Sequence, residues 1–147
     1  MNGYAHKLER RIDWFEVDFR GHVNNVSFIY YVQEARVEFF HKIGLMQSQE
    51  KEKEGPVLAS ITCQYYRPLF YPGKIHIYSR VSEIKNTSFV IKHAIYNDRQ
   101  QMAAEAQDIL VYYDFVNETK LTIADELRKV LKKVSGGNIF PPEREMV

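Results

Sequence analysis

The alternation of apolar and polar positions divides the chain into seven stretches. Over residues 7–16, Leu8, Ile12 and Trp14 fall on one side and Lys7, Glu9, Arg11 and Asp13 on the other. That period of two predicts a strand. The segment 17–24 is polar, contains Gly21 and predicts a loop. From Val26 to Ile43 the period changes to 3.6, with Ile29, Val32, Ala35, Phe39 and Ile43 recurring at steps of three or four, which predicts a long helix. Asn24 or Asn25 is a suitable N-cap, because its side chain can accept from an otherwise unpaired helix N–H, and Gly44 is a suitable stop. Residues 45–55, with Gln-Glu-Lys-Glu-Lys-Glu before Gly55-Pro56, read as a charged, solvated connection.

Four further strands are predicted. Val57, Ala59, Ile61, Cys63 and Tyr65 alternate with polar residues over 57–66. Ile75, Ile77 and Val81 share a face over 75–84, as do Phe89, Ile91 and Ile95 over 88–96. Ile109, Val111, Tyr113 and Phe115 alternate with Leu110, Tyr112 and Asp114 over 101–115. The turns between these strands are short, which favours antiparallel hairpins over parallel crossovers. Ile123, Leu127, Val130 or Leu131, and Val134 then mark a second helix over 123–134, with Thr122 as its expected cap and Gly136-Gly137 as its end. The pattern gives one domain over residues 1–137 and a loose tail over 138–147 carrying Pro141-Pro142. The expected class is α+β, one antiparallel five-stranded sheet against one long helix plus a short C-terminal helix. Such a sheet leaves its edges open, and edge-to-edge pairing of two copies would protect them.

Composition narrows the function classes. A net charge of +1 on 147 residues argues against nucleic-acid binding. No apolar run reaches the length needed to span a bilayer, and the first residues lack the apolar segment of a secretory signal. Cys63 is the single cysteine, so no intrachain disulfide can form, and a cytoplasmic location is expected. Ten tyrosines, nine phenylalanines and one tryptophan suit a thick core, an oligomer interface or an apolar ligand pocket. The five histidines show neither His-x-x-x-His spacing nor a cysteine partner, so neither metal nor cofactor is expected. There is no Gly-x-Ser-x-Gly elbow and no phosphate-cradling glycine-rich loop.

What remains is Asp18, a carboxylate in a loop with Gly21, His22, Asn24 and Asn25, directly before the long helix. The first N–H groups of a helix point back at such a loop and can hold a developing oxyanion. A lone carboxylate can attack an activated carbonyl or deprotonate the water that does so. A thioester is the easiest such substrate, since thiolates leave well, whereas an amide needs its leaving group protonated. Asn25 is the nearest candidate for the N–H that would polarise the carbonyl.

The run Glu16-Val17-Asp18-Phe19-Arg20-Gly21-His22-Val23-Asn24-Asn25-Val26, followed by Tyr31-Val32-Gln33-Glu34-Ala35-Arg36, resembles the hot-dog-fold acyl-CoA thioesterases of the 4-hydroxybenzoyl-CoA thioesterase type. Tyr66-Arg67-Pro68 with its Pro-Gly turn and Lys85-Asn86-Thr87-Ser88-Phe89 agree. The resemblance spans roughly residues 7–133. It implies a helix wrapped by an antiparallel sheet, dimers or tetramers with sites at subunit interfaces, and metal-free hydrolysis of acyl-CoA or acyl-carrier-protein thioesters. It implies Asp18 as catalytic nucleophile or base, with Gly21, His22, Asn24 and Asn25 around the substrate. Two departures are visible: Glu16 replaces the first acid of the usual Asp-x-Asp pair. Arg20 stands where the plant acyl-carrier-protein thioesterases, whose Gly-His-Val-Asn-Asn signature is similar, have an asparagine. A non-catalytic acyl-binding module on the same fold is the reading from a different class.

Overall fold

In the computed structural model, residues 6–45 and 53–135 are described. Strand β1 (His6–Arg11) leads through a 3-10 turn (Trp14–Glu16) and a loop into helix α1 (Asn25–Lys42). Strands β2 (Glu54–Tyr65), β3 (Lys74–Ile84), β4 (Ser88–Tyr96), β5 (Met102–Asp114) and β6 (Thr119–Lys120) follow, then helix α2 (Asp125–Lys133). The sheet is antiparallel in the order β1-β3-β4-β5-β2, with the two-residue β6 added beside β5. This is the expected α+β architecture with one extra short strand. The expected loose tail and the glycine stop at Gly136-Gly137 lie outside the described residues.

Helix α1 runs almost over the expected span. Asn24 is its N-cap, its side chain accepting from Ser27 N–H at 2.8 Å. Gly44 lies beyond its end at φ +87°, a left-handed backbone that favours glycine.

Three boundaries differ from expectation. β1 ends at Arg11 instead of continuing to residue 16, because Asp13 N–H bonds the Glu16 carboxylate at 2.9 Å and folds the chain into a turn. Trp14, expected on the inner side of a strand, is consequently exposed. β2 begins at Glu54, so Gly55 and Pro56 are strand and not connection. As the terminal strand of the sheet it tolerates a proline, whose missing N–H costs no ladder bond on an open edge. Helix α2 begins at Asp125 with Ala124 as its cap position, not Thr122. Ile123 is buried, and its N–H is bound to Asn86 O at 2.9 Å, which holds the chain extended until that point.

Most of the core lies between α1 and one face of the sheet in two apolar clusters, and Tyr78, Ala94 and Tyr96 form a smaller third. Phe28, Tyr31, Val32 and Ala35 of α1 pack on Ile75, Ile77, Ile95, Ala104 and Ala106. Further along the helix, Phe39 and Phe40 pack on Val81, Phe89, Ile91 and Leu110, with Ile123 and Leu131 closing the end. Between them runs a row of polar side chains, each one step of the local repeat from both clusters. Ser79 Oγ lies 2.7 Å from His93 Nδ1, His93 Nε2 lies 2.7 Å from the Asp108 carboxylate, and Arg36 donates to the same carboxylate at 2.9 Å. With the proton on Nε2, His93 donates to Asp108 Oδ2 and accepts from the Ser79 hydroxyl, while Asp108 Oδ1 is buried without a hydrogen-bond partner. On β5 the helix-facing set is Ala104, Ala106, Asp108 and Leu110, so Ile109, Val111 and Tyr113 face outward.

Candidate functional site

The Asp18 loop is built by the backbone. Asp18 N–H donates to His22 O at 2.8 Å and Gly21 N–H to Asp18 O at 2.9 Å, closing a tight turn. Gly21 sits at φ +80° with open space where a side chain would go. Backbone conformation, not crowding, therefore calls for glycine there. The turn aims two N–H groups at the Asp18 carboxylate: Oδ1 accepts from Arg20 at 2.8 Å and from His22 at 3.1 Å. These donors, His22 first, lower the Asp18 pKa below the ordinary aspartate value, and the nearby His22 and Arg20 side chains add to the effect. Asp18 is thus an ionised, solvent-facing carboxylate with one oxygen fixed.

Its neighbour Glu16 has a different setting. Glu16 is buried and takes Arg10 at 2.9 and 3.2 Å, the Tyr31 hydroxyl at 2.7 Å and Asp13 N–H at 2.9 Å. Arg10 also lies over the Tyr31 ring and 3.5 Å from Glu34. Burial raises the Glu34 pKa. Glu34 therefore pairs with Arg10, while Arg36, its neighbour in sequence, serves Asp108 in the core.

Asn24 binds the loop to the helix. While Oδ1 caps Ser27, its Nδ2 and its own N–H both donate to Glu16 O at 3.0 Å. Asn25 is the first helical residue and is exposed. Its N–H and that of Val26 have no acceptor within the helix. The His22 ring packs edge-on against Phe70 at 4.7 Å, so the ring braces the loop while its backbone N–H orients Asp18.

In the single chain these residues line two neighbouring hollows. Asp18 and Gly21 border one of about 630 Å³, walled by Trp14, Phe15, Phe19 and Tyr71. His22 and Asn25 border another of about 320 Å³ with Phe28, Tyr65 and Tyr66. Asp18 and Asn25 do not share a wall. The aromatic rim had not been assigned a role from sequence; its signal was the density of aromatics flanking Asp18. Trp14 is 74% exposed, Phe15 76% and Phe19 92%, which is unusual for residues of this type clustered at one spot.

Comparison with known proteins gives the family. The thioesterase-like superfamily matches residues 12–131. An acyl-acyl carrier protein thioesterase of Arabidopsis thaliana is 30% identical over 112 residues, covering 74% of this chain and 58% of that protein. An acyl-CoA thioester hydrolase of Escherichia coli is 24% identical over 115 residues, covering 78% of this chain and 86% of its own. Among solved structures, a Thermus thermophilus thioesterase complexed with coenzyme A and zinc superposes with a TM-score of 0.78 at 21% identity, over 92% of this chain and 98% of that one. Together with the helix wrapped by an antiparallel sheet, the match over nearly the whole described core places this chain in the thioesterase-like superfamily, as a thioester hydrolase of hot-dog fold.

Proposed function

We propose that the chain hydrolyses acyl-CoA thioesters to free acid and CoA, as an enzyme of the 4-hydroxybenzoyl-CoA thioesterase type, with Asp18 as its catalytic carboxylate. The observation that carries this reading is the state of Asp18: ionised, exposed, held by two backbone N–H groups and bordered by exposed aromatics. The free carboxylate oxygen attacks the thioester carbon or takes a proton from the attacking water. Either route puts negative charge on the carbonyl oxygen, and collapse of that intermediate expels the thiolate. The Asn25 N–H at the start of α1 is the donor assigned to that oxygen, worth about 10²–10³ in rate for a single such group. Gly21, His22 and Asn24 shape the loop around the substrate.

A single chain leaves Asp18 and Asn25 on separate hollows, and this favours a site completed by a second copy. The outer edge of β2 ends the sheet, and Val57, Leu58 and Tyr65 on it are exposed. Pairing two such edges would cover them and bring the N-terminal end of one α1 towards the loop of the other, giving a dimer or, by association of two dimers, a tetramer. Among the described residues no helix is long and apolar enough to cross a membrane, and the reading assigns the enzyme to the cytoplasm. The similarity to a plant acyl-carrier-protein thioesterase supports a second reading, in which the acyl group arrives on a carrier protein.

The test is release of free thiol from a panel of acyl-CoA and acyl-carrier-protein substrates, with Asp18→Asn as the control. Wild type releases thiol, and Asp18→Asn loses at least about 10²–10³ in kcat while its melting curve is unchanged. A folded Asp18→Asn variant with wild-type activity removes Asp18 from the mechanism. Absence of thiol release from the whole panel supports the acyl-binding module instead. Light scattering checks assembly, and a monomer at micromolar concentration overturns the shared site.

A further inference from the structure

The sheet ends in two strands, β2 on one side and β1 on the other. The β2 edge is the proposed contact with a second copy. Along β1, the N–H and C=O of every second residue point away from β3 and meet no strand among the described residues. Beside that edge a groove of about 410 Å³ opens between Leu8 and the side of α1. Its helical wall carries Tyr30, Glu34, Val37, Glu38 and His41, a stripe at steps of three and four. Tyr30 and Val37 are exposed. None of the residues lining this groove lines the hollows at Asp18 and Asn25.

The groove is acidic. Glu34 Oε1 is buried and accepts no hydrogen bond. Arg10 Nε stands 3.5 Å from it, but that guanidinium donates to Glu16 and Asp13. Glu38 Oε1 faces the buried His6 ring at 3.1 Å, and burial holds the His6 pKa below its ordinary value. The ring therefore brings little positive charge at neutral pH. Burial raises the Glu34 pKa, and a cation arriving in the groove favours the ionised form. A second copy is a poor occupant of this edge. Two-fold pairing of β1 strands would bring Glu34 and Glu38 of both copies together, like charge against like.

We infer that the β1 edge and this groove form a docking site for an extended basic peptide of another protein, which adds a strand to the sheet. The free backbone groups of β1 supply the ladder of hydrogen bonds. Side chains of a strand alternate between faces, so every second residue of the peptide meets the α1 stripe. An apolar residue lies against Leu8, Tyr30 and Val37. Lysine or arginine at the next positions on that face meets Glu34 and Glu38. The lengths agree, since the helix rises about 16 Å from Tyr30 to His41 and about five strand residues span about 17 Å. The site does not depend on the reaction proposed at Asp18.

Fluorescence polarisation on the full chain tests the site with a labelled peptide, acetyl-Thr-Leu-Thr-Lys-Thr-Lys-Thr-amide, whose Leu and Lys share one face. Wild type binds it, and the same peptide with Glu in place of Lys binds at least about tenfold more weakly. Glu38→Lys loses at least about tenfold for the Lys peptide and gains affinity for the Glu peptide, a gain that only a folded variant can show. N-methylation of one alternate set of peptide residues costs at least about tenfold and of the other set does not, because only one set faces β1. Bound peptide also slows amide hydrogen exchange in β1. Failure of wild type to bind, or equal affinity for the Lys and Glu peptides, overturns the site. Equal effects of the two N-methylations, or binding without slower exchange in β1, overturn the strand addition. If exchange in β1 of the free chain slows as protein concentration rises, a second copy occupies the edge and the proposal falls.

Discussion

Glu16 and Asp18 are two carboxylates two positions apart, and the fold gives them opposite surroundings. Glu16 is buried under a guanidinium, a phenol hydroxyl and a backbone N–H, with Tyr31 anchoring it to α1. Asp18 is exposed and accepts only from its own loop. A buried carboxylate bound through both oxygens cannot attack a substrate without dismantling the structure around it. One with an oxygen facing solvent can. On the proposed mechanism the pair also divides the work: Glu16 fixes where the loop leaves β1 and meets the helix, and Asp18 would react from the position so fixed. The length of the Glu16 side chain suits this role, since its carboxylate reaches Arg10, Asp13 N–H and the Tyr31 hydroxyl together.

The largest expected difference between the two is in stability. Glu16→Ala leaves Arg10 and the Tyr31 hydroxyl without their main partner in a mostly buried setting, and breaking such a pair costs about 3–5 kcal/mol. Asp18→Ala removes a solvent-exposed side chain and changes stability far less. Urea unfolding of the two variants checks this directly. Equal shifts in midpoint would mean that the buried carboxylate is not the anchor, and the division of work would fail.

This comparison could not be drawn from the sequence, where both residues sit in one polar stretch. What could be read there was periodic. The eighteen residues of α1 kept their 3.6 repeat because one side packs on the sheet throughout its length. Asn24 was recognisable as a cap because the chemistry of a cap is local. The errors arose where a tertiary bond overruled a local pattern. Alternation through Trp14 suggested a continuing strand, but Glu16 turns the chain by binding Asp13 N–H. Thr122 had the right chemistry for a cap, but Asn86 holds Ile123 extended. On β5, both faces of residues 109–113 carry large side chains, so period two could not say which face met the helix. The row Arg36, Asp108, His93 and Ser79 was invisible for a related reason. Its members come from four elements, and each looks like an ordinary polar interruption in its own segment. In the site, Asp18, Gly21 and the helix start were legible as a contiguous motif, whereas Tyr71 joins the Asp18 hollow only through the fold.

A smaller effect is expected at the joint between the two regions. Asn24 caps α1 through Oδ1 and ties back to Glu16 through Nδ2. Asn24→Ala loses both and costs about 1 kcal/mol. Asn24→Asp keeps the cap and loses only the Nδ2 bond, so its denaturation midpoint falls between those of wild type and Asn24→Ala. If the two variants are equally destabilised, the tie to Glu16 is what matters and capping contributes little. Because Asn24 positions the first N–H groups of α1, kcat falls in Asn24→Ala by more than the stability change alone would produce at a temperature where both proteins are folded.

The smallest effect separates Asp18 from His22 as the group that must lose its proton. The Asp18 pKa is lowered chiefly by the His22 backbone N–H, then by the Arg20 N–H, with the His22 and Arg20 charges contributing less. If Asp18 is the reacting carboxylate, as proposed, activity is lost as pH falls through its folded-state pKa. That value lies below the ordinary 3.8, and the acid limb lies there too. The profile of kcat/KM is therefore flat from pH 8 down to about pH 5 if Asp18 reacts, whereas an imidazole acting as the base would bring an acid limb into that window. His22→Gln sharpens the distinction, because it removes the ring and keeps the backbone N–H that provides the largest part of the shift. The variant keeps the flat profile, with a small rise in the pKa of Asp18 from the lost charge. A wild-type acid limb above about pH 5 that disappears in His22→Gln would transfer the role of base to the histidine and leave Asp18 as its support.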